Sequence, residues 1–216
     1  MFNALLWLQW KSSRAWIVTA AVAVMALPVV SVVREWPTDQ SAMAQFLARL
    51  EAWSFFYPLL ATTVGAAMAS FAWRADRWSD FVYALTLPIA RWRQVGYRFG
   101  AGLVWIAGVA ALLWVSALLA VAVTPIPASL RSYPNAVALK FGLATMSVFT
   151  LGFAGLSLPE RMKRGFVVMA LALTVVQVAA LLAGWDANWV VPLFEAIVGP
   201  TGPLGMLAGR WMLIDV

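Results

Sequence analysis

Apolar runs of about 20 residues, the length that crosses the hydrocarbon core of a bilayer, recur along this chain with only short segments between them. They extend from about Ala15 to Val33, Ala52 to Trp73, Phe99 to Val123, Ala136 to Leu158 and Gly165 to Ala183. A chain with this pattern is expected to fold as a bundle of transmembrane helices with lipid as its solvent. Charge supports the same reading. Only 11% of the 216 residues are charged, against about a quarter in a soluble domain, which leaves too little polar surface to coat a globule in water. Six spans with short loops consume the sequence, so residues 1–216 read as a single transmembrane domain.

Two missing residue types narrow the chemistry. Cysteine is absent, which excludes disulfides, thiol nucleophiles and Cys-ligated metals. Histidine is also absent, and with it the commonest metal ligand, general base and haem ligand. No metal or other cofactor is expected. The formal net charge of +6 comes from Arg and Lys that flank the spans, the signature of cytoplasmic loops and not of a nucleic-acid partner.

The first fourteen residues do not have the order of a cleaved signal peptide, in which charge precedes a short apolar run. Here Phe2, Leu5, Leu6 and Trp10 come before Lys11 and Arg14. Their spacing fits one face of a helix, with Asn3 and Gln9 off it. Two readings stand: a helix tilted into the membrane interface, or the start of the first span. Pro28 is expected to kink that span. Ser41 to Leu50 suggests a short surface helix. Gly65, Ala66, Ala67, Ala69 and Ser70 permit close helix approach, read here as packing within the chain before a seam between copies. Lys140, near one end of its span, is expected to snorkel to the interface.

The tail is harder to place. Val190 to Ala208 is apolar enough to enter a membrane, yet holds Pro192, Pro200 and Pro203 with Gly199, Gly202 and Gly205. A straight helix does not tolerate that pattern. A broken or re-entrant sixth span, or two short helices, is expected. The architecture anticipated is thus all-α: a polytopic bundle of six transmembrane helices, the last discontinuous, with an amino-terminal interfacial helix.

Charge sets the orientation. Lys11, Arg14, Arg74, Arg77, Arg91, Arg93, Arg98, Arg161, Lys163 and Arg164 occupy one set of alternate connections, and Arg34, Arg49, Arg131 and Lys140 the other. The richer set is expected to face the cytoplasm, with the amino terminus. Trp16, Trp36, Trp53, Trp73, Trp185 and Trp189 lie near proposed span ends, where indole rings settle.

The segment RADRWSDFVYALTLPIARWRQVGYRFGAGL carries the most information. Phe81, Val82, Leu85 and Leu87 give an apolar face after Asp80, which favours a helix start. Pro88 ends that helix, and Ala90 to Arg98 begins another that runs into the third span. The product is a helical elbow displaying Arg91 and Arg93. On physical grounds alone these arginines fix orientation and touch lipid phosphates, or they receive a cytoplasmic partner.

This stretch resembles the cytoplasmic loop of type 2 ATP-binding-cassette permeases. There an acidic residue and an apolar helix precede a Leu-x-Leu-Pro turn, a small residue, an Arg and a basic helix entering the third span. Asp76 or Asp80, Leu85, Leu87, Pro88, Ala90, Arg91 and Arg98 hold those places here, with Arg93 beside them. The Gly-Thr common before the apolar helix is replaced by Trp78 and Ser79, and the late basic residue is Arg98 in place of Lys. The resemblance implies a permease subunit in the bacterial inner membrane. It also implies a homodimer or heterodimer of such subunits and a separate ATPase that engages the loop from Asp76 to Arg98. No GxxxxGK[ST] sequence occurs, so ATP hydrolysis by that machinery belongs to the partner and the chain is not expected to be an enzyme. A non-transporting scaffold or anchor subunit is the alternative. Within the spans, Gln177 and Glu195 are the candidate polar groups of a substrate path, although Glu195 is read first as lying at the outer interface. The scarcity of polar residues gives a mild preference for a hydrophobic or amphipathic cargo.

Overall fold

Without water to bond, each apolar run closes its backbone hydrogen bonds inside a helix. The computed structural model describes residues 2–35, 43–74, 90–124, 130–183, 190–199 and 201–215. These residues form α1 (Phe2–Glu35), α2 (Met43–Ser54), α3 (Phe56–Ala72), α4 (Arg91–Val123), α5 (Pro134–Ser157), α6 (Glu160–Leu182) and α7 (Val190–Val198). Two short strands, β1 (Arg131–Ser132) and β2 (Ile214–Asp215), pair antiparallel. The protein is a helical membrane bundle, with five stretches long and apolar enough to span: Ser13–Arg34, Gln45–Ala72, Trp92–Val123, Pro134–Ser157 and Glu160–Ala180.

The amino-terminal segment differs from the separate interfacial helix of the sequence reading. It forms the opening turns of α1, which runs unbroken for 34 residues, about 51 Å at the rise of an α-helix. Gln9, expected off the packed face, is buried, as is Ser13. Between them Trp10 stacks on Trp105 of α4 with ring centres 5.1 Å apart. Ser13 Oγ satisfies itself on the Gln9 carbonyl one turn back. Pro28 stays within the helix, and the hydroxyl of the buried Ser31 donates to its carbonyl at 3.0 Å.

The second span carries one missing rung. α2 ends at Ser54, α3 begins at Phe56, and Phe55 between them keeps helical angles, φ −60° and ψ −29°. Pro58 supplies the reason: it has no N–H to offer the Ser54 carbonyl. The helix expected over residues 41–50 is described from Met43 as α2, which leads directly into the span Gln45–Ala72.

α1, α3, α4 and α5 form the core and alternate in direction. At one end Arg98 of α4 lies over Trp73 beyond α3, and Trp73 Nε1 donates to the Phe153 carbonyl of α5 at 3.2 Å. At the other end Ser116 of α4 donates to the Met25 carbonyl of α1, and Trp114 Nε1 reaches Asn135 of α5 at 2.7 Å. The first end therefore gathers the starts of α1 and α4 with the finishes of α3 and α5.

Small residues set the spacing. A Cβ added at Gly65 on α3 would lie 2.7 Å from the Thr145 carbonyl oxygen and 2.9 Å from Val148 Cβ, both on α5. One added at Gly152 on α5 would lie 3.0 Å from Ala69. The small-residue face of α3 is thus consumed within the chain, through Gly65 and Ala69, while Ala66 and Ser70 face outward. Phe141, Phe149 and Val64 are fully buried, with the Phe149 ring turned to Gly102 and Phe99 of α4. α6 stands apart. Leu171, Val175, Val176 and Val178 are at least half exposed, and only Gln177 and Ala180 of its described side chains are buried.

A sixth helix of spanning length is not among the described residues. α7 has nine residues, about 13.5 Å long, well short of the hydrocarbon thickness of about 30 Å. Beyond it the chain turns through a 3₁₀ helix at Gly205–Leu207 and returns to β1, pairing Arg131 with Asp215 and Ser132 with Ile214. Trp211, Met212, Leu213 and Ile214 are buried in that return. Residues 204–215 therefore close the second end of the bundle, beside the α4–α5 connection.

Candidate functional site

The coupling region named from sequence lies at the first end. Asp76, Asp80, Leu85, Leu87 and Pro88 fall outside the described residues. Where description resumes, Ala90 is the N-cap of α4, with φ −57° and ψ 129°. That extended backbone suits the residue that ends a loop and opens a helix. The amides of Arg93 and Gln94 both bond the Ala90 carbonyl, at 2.9 and 3.3 Å. The helix expected from Ala90 into the third span is therefore present, and it continues without interruption to Val123.

The first two turns of α4 have two unlike faces. Trp92, at 71% exposure, and Arg93 point outward, and the Arg93 guanidinium lies 5.1 Å from the Trp92 ring centre. Val95 and Tyr97 continue the exposed face. Gln94 and Arg98, four residues apart, are buried, as the helical period requires of a face that continues through Ala101, Ile106, Val109 and Leu113. Arg98 is thus separated from the displayed Arg93. Its guanidinium sits 5.6 Å from the Trp73 ring centre, an attraction between cation and π-face that strengthens when water is excluded.

Trp73 joins three helices at this end. Its ring packs on Phe153 at 5.0 Å, its N–H bonds the Phe153 carbonyl, and its face receives Arg98. Phe99, Phe149 and Phe153 complete the aromatic layer, with ring centres 5.2 to 5.6 Å apart. On the α1 side the stack of Trp10 and Trp105 closes the layer. Trp105 Nε1 is buried without a hydrogen-bond partner among the described residues.

Cations at this end repeatedly rest on aromatic rings. Lys11 lies 5.2 Å from Trp7, and Arg74 lies 5.9 Å from Phe71. At the start of α6, Lys163 bonds Glu160 at 3.0 Å, leaving Arg161 and Arg164 exposed beside it. The end is strongly basic, and the basic residues that start α4 oppose the helix dipole, whose positive pole lies there as well. An arrangement that concentrates positive potential in this way suits an anionic surface or an acidic partner.

The pair proposed for a substrate path divides. Gln177 is buried in the closing turns of α6. Glu195 is exposed on α7, where its carbonyl accepts the Gly199 amide at 2.8 Å, and α7 is tied to the second end by the Leu204 amide, which bonds the Ile197 carbonyl at 2.9 Å. Lys140 makes contacts that its sequence position did not announce. Its ammonium donates to the Ala208 and Arg210 carbonyls at 2.7 and 3.1 Å. It lies 4.7 Å from the Trp211 ring centre. Spacing along the chain held no sign of this, because the acceptors are backbone groups about seventy residues away. Among the described residues no group of His, Cys, Asp or Glu is placed to hold a metal ion.

Compared with models of protein families, with curated proteins and with solved structures, the chain matches none.

Proposed function

We propose that this protein is the membrane permease subunit of an ATP-driven exporter of the ATP-binding-cassette type. In this reading the first end faces the cytoplasm and a separate ATPase engages the segment from Asp76 to Arg93. The observation that carries the proposal is the form of α4's start. A displayed pair, Trp92 and Arg93, stands one turn from a buried cation, Arg98, seated on Trp73. Force applied to the exposed turn passes into a helix that runs unbroken to the far side, through a contact that also holds α3 and α5. A surface that only touched lipid needs no such link to the core. The Leu-x-Leu-Pro-x-Ala-Arg sequence preceding this turn supports the same assignment.

Two permease subunits complete the transporter in this proposal. α6 offers a surface for the second, since its exposed apolar residues find no cover among the described residues. The same feature favours a second reading, a non-transporting scaffold that anchors a larger complex through α6.

Co-purification separates the two. The wild-type chain is expected to retain an ATPase, and Arg91→Glu combined with Arg93→Glu to lose it while still inserting and folding. Retention of the ATPase by the charge-reversed variant would remove the coupling role from this turn. A complex that purifies without any ATPase, and hydrolyses no ATP after reconstitution, would favour the scaffold.

A further inference from the structure

The second end of the bundle holds a cavity that the exporter reading leaves unused. Its volume is about 200 Å³, smaller than the roughly 300–1,000 Å³ of pockets for drug-sized ligands. Lys140, Arg210 and Asp215 supply its charged lining, and Val137, Trp211 and Met212 supply apolar walls. Val137 and Lys140 belong to the opening turns of α5, a spanning helix, so the cavity lies at the level where a bilayer changes from hydrocarbon to head groups.

Charge around the cavity is unbalanced. Arg210 pairs with Asp215 at 3.4 Å, and Arg131 stands directly across the β1–β2 ladder from the same Asp215. The lining itself holds two cations, Lys140 and Arg210, to one carboxylate. These cations run against the orientation bias of the sequence. The connections at this end are the cation-poor set, holding Arg34, Arg49, Arg131 and Lys140, and the fold adds Arg210 to them. Two of those five line one cavity.

Lys140 is held ready. Two of its three N–H donors are committed to the carbonyls of Ala208 and Arg210, and the ring of Trp211 fixes the ammonium from one side. The third donor has no acceptor among its described contacts. The Arg210 side chain is 68% exposed, and its planar fork matches phosphate oxygens in bidentate fashion.

We propose that this cavity binds the phosphate head of an amphiphile, with Lys140 and Arg210 on the phosphate and the Val137, Trp211 and Met212 walls on the adjoining apolar stem. A membrane phospholipid and a soluble organic phosphate present the same group, and the cavity's position at the end of a span favours the lipid. The inference does not depend on the exporter reading.

The test is a binding titration of the full chain in non-ionic detergent, read by native mass spectrometry. The probes are dioctanoyl phosphatidylglycerol, dioctanoyl phosphatidylcholine and inorganic phosphate. Phosphatidylglycerol is expected to bind at one saturable site at least tenfold more tightly than phosphatidylcholine, whose choline offsets the phosphate charge. Arg210→Gln is expected to lower phosphatidylglycerol affinity five- to tenfold. That variant keeps the Lys140 staple, which bonds the backbone carbonyl of residue 210, and gives up only the largely exposed pair with Asp215. Inorganic phosphate binding as tightly as the lipid would uphold the anion site and overturn the lipid as its source. Equal affinity for the two lipids, no change in Arg210→Gln, or no saturable binding of any probe would overturn the proposal.

Discussion

Replacing Gly65 with alanine tests the close packing of α3 against the α5 backbone. A methyl group there would stand 2.7 Å from the Thr145 oxygen, 2.9 Å from Val148 Cβ and 3.1 Å from the Phe149 nitrogen. Two of these atoms are α5 backbone, which relieves the clash only if a whole helix shifts. Overpacking of this kind costs about 1–3 kcal/mol, while exchanging Gly for Ala in a helix returns up to about 1 kcal/mol. The 2.7 and 2.9 Å contacts are to atoms that cannot swing aside, which puts the cost at about 2–3 kcal/mol and the net loss at about 1–2 kcal/mol. Gly108 is the control, because a Cβ built there meets nothing within 4 Å. Gly108→Ala should therefore show the helix gain alone. In a chain of this size 1 kcal/mol moves the melting temperature by about 2–4 °C. Thermal unfolding in detergent, followed by circular dichroism, should place Gly65→Ala about 2–8 °C below the wild type and Gly108→Ala slightly above it. If both variants melt at or above the wild-type temperature, the close α3–α5 seam is wrong.

Further tests address the two ends. Lys140→Met removes two charge-assisted hydrogen bonds and the contact with Trp211; trypsin should then cut after Arg210 about tenfold faster or more, as expected from bonds to a charged donor, and an unchanged rate would refute the staple. Trp73→Phe keeps a ring against Phe153 but deletes the N–H bond to its carbonyl, so a loss of about 1 kcal/mol is expected, measurable in the same melts. The charge reversal at Arg91 and Arg93 and the lipid titration at Arg210 complete the set.

The sequence reading reached the helices and missed what joins them. Four of the spans were legible because hydrophobic length is a local property: the runs ending at Val33, Val123, Leu158 and Ala183 agree with α1, α4, α5 and α6 to within a few residues at their carboxyl ends. The second span is legible as well, its end at Trp73 one residue beyond α3, while the rung that Pro58 removes at Ser54 lies hidden within an apolar run. At the candidate site, the display of Arg93 followed from its position in the loop, but the burial of Arg98 did not. Reading that burial requires the helical phase of α4, because residues 93 and 98 lie about 140° apart around a helix of 3.6 residues per turn. The roles of Trp73 and Lys140 were not legible at all. Each depends on contacts between residues about seventy to eighty apart in the chain, and one sequence holds no record of which distant groups meet.

The pairing of β1 with β2 has a consequence for biogenesis. β1 leaves the ribosome before α5, and its partner strand emerges only after α6 and α7. Until then Tyr57 lacks the Trp211 ring that stacks 6.4 Å from it, and the seat for the tail stands open. Insertion of the spans and closure of the far end are therefore separate events in time, and a nascent chain arrested before residue 204 should carry every spanning helix yet leave that end unlatched.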